Sequence, residues 1–180
     1  TTHWSGEEWD EGAHGFNSMT QLYSSTADNC VWVLPGSHKT GKSDIKALVA
    51  KSGSERIEGA IPMICQAGDV IVMNRQIVHG SFANTSQHRR VTINSGFFAK
   101  KRVLNVTTKL LSGVAATFDE ARIMRRSRII ALAIDARQQQ YPKESRYTYQ
   151  PFVGQEDRNR WNEENRHKLL NNYNLDNMYI

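Results

Sequence analysis

Long apolar runs are missing from this 180-residue chain. With a mean hydropathy of −0.58, no stretch approaches the roughly 20 residues a spanning helix needs, which excludes a helical membrane protein. Cysteine is scarce as well. Cys30 and Cys65 are the only two, too few for a disulfide framework or a cysteine-based zinc site, and they read as reduced thiols in a cytoplasmic protein. The opening Thr1-Thr2-His3-Trp4-Ser5-Gly6-Glu7-Glu8 has neither the basic start nor the apolar stretch of a secretory signal. A first residue that is Thr rather than Met reads as a processed chain, a trimmed one or a fragment. Internal repeats and low-complexity tracts are absent too, which excludes solenoids and arrays.

What is present divides at about residue 100. The net charge is +5, yet residues 1–100 hold nine Lys plus Arg against nine Asp plus Glu, so the whole excess lies in the last 80 residues. Its densest part is Arg122, Arg125, Arg126 and Arg128, a candidate phosphate-tracking face. Nucleic-acid binding is nevertheless disfavoured, because no recognised motif accompanies these arginines and such a face is usually solvated or paired.

Hydrophobic periodicity changes at the same place. Ser18 to Tyr23, Cys30 to Leu34, Asp69 to Met73 and Val91 to Phe98 read as strands, the last by strict alternation. One helix interrupts them, with Ser43 as expected N-cap and Gly53 at its C-terminal stop. From Thr117 the pattern turns helical: Thr117 and Glu120 form an expected capping box, and the helix runs towards Pro142 with an apolar stripe of Ile123, Met124, Ile129, Ile130, Leu132 and Ile134. A second helix is expected from about Glu156 to Asn172, anchored by Trp161, Leu169 and Tyr173. The expected fold is therefore mainly β over residues 1–99, with a helical extension over residues 100–180 packed on it or forming a homo-oligomer contact.

Of the six histidines, His79 stands out. It follows Gly68-Asp69 and the apolar strand Val70 to Val78 and precedes Gly80, so it sits where a strand leaves the core, a place where a fixed imidazole makes a good metal ligand. Eleven residues later comes Arg90, with Thr92 two positions on along the same strand face. A guanidinium beside a hydroxyl offers a carboxylate a bidentate fork plus one further donor. The pattern suggests a metal site next to a dicarboxylate site; a strand with a satisfied His and a surface Arg is the plainer alternative. Asn17, Gln21 and Arg75 are weaker candidates, placed on neighbouring strands, and Asp69 is expected to serve its turn.

The segment Asn29-Cys30-Val31-Trp32-Val33-Leu34-Pro35-Gly36-Ser37-His38-Lys39, then Gly68-Asp69-Val70, then His79-Gly80-Ser81 through Arg90, resembles the phytanoyl-CoA dioxygenase family over roughly residues 1–99. The resemblance implies a double-stranded β-helix, a jelly roll whose mouth holds Fe(II), and an oxidative decarboxylation of 2-oxoglutarate by oxygen coupled to hydroxylation of a small organic or acyl substrate. By the same resemblance His79 matches an iron-binding histidine, Arg90 the partner of the far carboxylate of 2-oxoglutarate, and Ser81 and Thr92 the hydroxyls lining that cosubstrate. Trp4 would wall the pocket, and His38 and His88 would be rim or solvent-facing residues.

One part of the family pattern does not match. The His-x-Asp motif that supplies the first two iron ligands has no counterpart, since neither His3-Trp4-Ser5 nor His14-Gly15-Phe16 carries the carboxylate. The motif is expected just before Thr1, in which case this chain by itself holds iron weakly. Two alternatives remain open at this level: a catalytically silent jelly-roll binding module, and a related halogenase in which the acidic ligand is replaced by a small residue.

Overall fold

A computed structural model describes residues 15–41, 43–110 and 113–177. The chain divides into two compact units, Thr1–Ala99 and Lys100–Ile180. No helix among the described residues is long and apolar enough to cross a membrane.

Among its described residues the first unit holds six strands, β1 (Gly15–Gln21), β2 (Val31–Val33), β3 (Ile61–Pro62), β4 (Val70–Asn74), β5 (His79–Ser81) and β6 (Thr92–Phe98). They form two antiparallel sheets, β4-β1-β6 and β3-β2-β5. Alternation sets the faces. Along β1, Asn17, Met19 and Gln21 are buried while Phe16, Ser18 and Thr20 are not, and the register pairs Met19 with Ile71 of β4 and with Asn94 of β6. Met19 and Ile71 join Val31 and Val33 of the other sheet, together with Cys65 and Met73, in one core cluster. The two sheets therefore share their apolar faces, each fully buried Val, Ile or Met contributing about 1.5–3 kcal/mol. A charge at Ile71 would break this layer.

Between β2 and β3 lies α1 (Ile45–Ser52). Its N-cap is Asp44, whose Oδ1 accepts from the Ala47 amide at 3.1 Å, and not Ser43; a carboxylate in that place also answers the positive end of the helix dipole. Gly53 closes the helix at φ 61°, a left-handed conformation that favours glycine. Asp69 accepts from the Gln66 amide at 2.8 Å and so closes the turn entering β4.

The second unit begins with the short α2 (Lys100–Val103), followed by the hairpin strands β7 (Thr107–Lys109) and β8 (Ala115–Thr117) and by α3 (Glu120–Gln140) and α4 (Glu163–Asn177). Among the described residues helix exceeds strand, and every strand except the β7-β8 hairpin lies in the first unit. Thr117 is not the cap of α3. It ends β8, facing Thr107 with the two Oγ1 atoms 2.8 Å apart, and Asp119 caps instead, accepting from the Arg122 amide at 2.7 Å. The segment from Glu156 is also not yet α4: Asp157–Asn159 is a 3-10 turn, and the helix opens later, where Asn162 Oδ1 accepts from the Asn165 amide at 2.9 Å. Trp161 precedes α4 and is tied through its backbone N–H to Asp135 of α3 at 2.7 Å. The expected apolar stripe of α3 is narrower than its sequence suggests: Ile123, Ala131 and Leu132 are buried while Ile129 is exposed.

Candidate functional site

His79 opens β5, opposite Val33, and Ser81 two residues on lies opposite Val31. Because Val33 and Val31 are core residues, His79 and Ser81 share the inner face of their sheet. The His79 ring is fixed from its own turn. Its Nδ1 lies 2.8 Å from the Ile77 carbonyl oxygen, which makes Nδ1 the protonated nitrogen and leaves the Nε2 lone pair for a ligand.

The Pro35-Gly36-Ser37-His38 turn acts on the same point. Gly36 takes φ 77°, and buried Ser37 then donates from Oγ to the Leu34 carbonyl at 2.7 Å while accepting from the Val78 amide at 2.8 Å. Ser37 thus pins the residue immediately before His79, a role that the turn motif signalled without specifying. His38 is half-buried in the short 3-10 turn that follows.

Arg90 precedes β6, in the other sheet, yet its Nη2 reaches Ser81 Oγ at 3.4 Å, a long contact that bridges the two sheets. Among the described residues none offers a hydrogen-bond partner to its buried Nη1. A guanidinium this poorly satisfied inside a protein fits an incoming carboxylate, which offers two acceptors and the missing charge. Ser81 lies roughly 7 Å along the strand from His79, a span suited to a short dicarboxylate held at one end by Arg90 and at the other near His79.

Thr92 is placed differently from Ser81. It pairs in register with Gln21, and its Oγ1 donates to Gln21 Oε1 at 2.9 Å. The hydroxyl is therefore committed to a buried amide, and Gln21 is the residue that orients it. Trp4 lies outside the described residues, as do His3 and His14. Among the described residues no group of three His, Cys, Asp or Glu side chains is arranged to hold a metal.

Sequence patterning gave no hint of Asn29. Buried at the end of the turn before β2, it accepts from the Thr26 amide at 2.9 Å and donates from Nδ2 to Ser86 Oγ at 3.1 Å. Asn84 adds a bond to the His88 carbonyl at 2.7 Å. The loop leading to Arg90 is thus moored to the turn before β2, while His88 itself is solvent-facing. Arg56, from the long connection after α1, lies over the rings of Trp32 and Phe82 at 4.9 and 5.5 Å. Trp32 alternates with core residues Val31 and Val33, so this contact covers the outer face of the second sheet rather than the site.

Cys30 and Cys65 are buried and free. Burial pushes both thiols up from their ordinary pKa, for Cys65 with help from the Asp69 charge, so neither is a ready nucleophile. In the second unit the arginine-rich face is largely committed: Arg128 bonds Asn159 Oδ1 at 2.9 Å, the Arg158 carbonyl at 2.8 Å and Asn165 Oδ1 at 2.7 Å, and Arg122 and Arg126 lie over the Phe118 ring.

Residues 4–92 match the family model described as Phytanoyl-CoA dioxygenase (PhyH). No curated protein matches the chain.

Proposed function

This chain belongs to the phytanoyl-CoA dioxygenase family through residues 4–92, and from that premise we propose that it is an Fe(II)- and 2-oxoglutarate-dependent dioxygenase hydroxylating a small organic or acyl substrate. The observation that carries the proposal is the convergence of His79, Ser81 and Arg90 on the inner faces of two antiparallel sheets, with a buried Arg90 nitrogen that no described residue satisfies. The sheet orders β4-β1-β6 and β3-β2-β5 support reading these strands as part of a double-stranded β-helix. Free, buried thiols accord with a reducing, cytoplasmic setting.

In this reading His79 Nε2 holds the metal, its ring kept in place by the Ile77 carbonyl. Arg90 binds the far carboxylate of 2-oxoglutarate, with Ser81 as the extra donor and Thr92, held by Gln21, lining the same end. Bound iron supplies the oxidising chemistry that couples decarboxylation of 2-oxoglutarate to hydroxylation of a C–H bond. The chain's own task is to bind, orient and exclude water.

The test is conversion of 2-oxoglutarate to succinate by the full-length protein with Fe(II), alongside direct metal and cosubstrate binding. His79→Ala is expected to lose iron and turnover together. Arg90→Ala is expected to retain iron and lose cosubstrate affinity by at least tenfold. Normal 2-oxoglutarate turnover in both variants overturns the assignment.

A further inference from the structure

A second arginine lies on the inner face of the first sheet, at its opposite end. Arg75 follows β4, and its Nη1 donates to buried Asn17 Oδ1 at 2.6 Å. The guanidinium crosses Gly96, where an added Cβ would collide with Arg75 Nη1, and its carbon sits 4.0 Å from the centre of the Phe98 ring. Glycine at position 96 therefore makes room for the cation, asparagine orients it, and phenylalanine packs its face. Burial lowers its pKa, yet among the described residues it forms no ion pair. Withdrawing a guanidinium from water without a carboxylate costs free energy that a purely structural arginine would recover from an acidic partner.

Register places this group. Asn17 pairs with Gly96 and Gln21 with Thr92, so Arg75 and the Thr92 end of β6 are separated by four residues, roughly 13 Å along the sheet. The turn that carries Arg75 leads in four residues to His79. Arg75 thus stands at the end of the sheet from which the chain turns to His79, and Arg90 at the other end, beside Thr92.

We propose that Arg75, with Asn17 and Phe98, is the recognition site for the carboxylate of the primary substrate. The inference rests on the oxygenase reading above. A single planar cation with one neighbouring amide matches the two oxygens and single charge of a carboxylate better than a dianionic phosphate. Phe98 adds an apolar wall, so the substrate is a carboxylic acid with an apolar body whose oxidised carbon lies between Arg75 and His79.

The experiment uses the full-length protein with Mn(II) in place of iron, saturated with 2-oxoglutarate, titrated calorimetrically with octanoate, phenylacetate and L-leucine and with the amide of each. At least one acid is expected to bind wild type tenfold or more tightly than its amide. That preference is expected to vanish in Arg75→Gln and in Gly96→Ala, which displaces the guanidinium, while 2-oxoglutarate affinity stays within twofold in both. Equal binding of every acid and its amide by wild type overturns the proposal and leaves the oxygenase reading standing. So does loss of 2-oxoglutarate binding in Arg75→Gln, which would make Arg75 a cosubstrate residue. Failure of wild type to bind 2-oxoglutarate removes the oxygenase reading, and this inference with it.

Discussion

Thr92 and Gln21 are joined by a hydrogen bond of 2.9 Å across β6 and β1, the threonine hydroxyl donating to an amide that is 3% exposed. A residue that sequence alone assigns to the cosubstrate is thus first of all a partner of its neighbouring strand. Thr92→Val preserves shape but leaves the Gln21 oxygen unsatisfied, and is expected to cost about 1–3 kcal/mol in urea unfolding. Its effect on 2-oxoglutarate affinity should be smaller than that of Arg90→Ala; equal losses with unchanged stability would give the hydroxyl a direct ligand role instead.

Ser37 holds the amide of Val78 and the carbonyl of Leu34, one residue from His79. Ser37→Ala should therefore weaken metal binding by roughly tenfold, the scale seen when the support of a ligand is removed. Titration of the variant with Fe(II) under anaerobic conditions checks this. Ser37→Thr, which keeps the hydroxyl, should recover most of the affinity.

Asn29 moors the loop that delivers Arg90. In Asn29→Ala, amide hydrogen exchange across residues 83–90 should accelerate, and 2-oxoglutarate affinity should fall while iron affinity changes little. Unchanged exchange in that segment would show that the loop is held by other contacts, such as the Asn84 bond to His88.

Asp135 is expected to make the second unit acid-sensitive. Burial by itself would raise its pKa, but hydrogen bonds from the Trp161 amide and Gln139 and the charge of Arg146 outweigh burial, so the carboxyl is held below its ordinary value. A depressed carboxylate stabilises the fold fully above its unfolded pKa of about 3.9 and loses that contribution as pH falls through the lower folded value. Asp135→Asn should therefore be less stable than wild type at pH 7, and the gap should close as urea unfolding is repeated below about pH 4. A gap that stays constant with pH would remove Asp135 from the acid transition.

The sequence by itself determined that strands lie at β1, β2, β4 and β6, because short runs bounded by turn residues mark them, but not which face each buries: Val70, Val72, Val91 and Ile93 are exposed while Asn17 and Gln21 are buried. It also marked the residues proposed to carry the chemistry. His79 after an apolar strand, and Arg90 eleven residues on, are local patterns, and their resemblance to the family agrees with the match over residues 4–92. Helix starts were less legible: Ser43 and Thr117 have the composition of caps, but Asp44 and Asp119 fill those places, since turn geometry decides which of two nearby side chains faces the free amides. Only the tertiary structure paired Thr92 with Gln21, spread the mooring bonds of Asn29 over 57 residues of chain, and laid Arg75 across Gly96. Such partners are distant in sequence and are chosen by strand register, which depends on how two whole sheets close on their shared core.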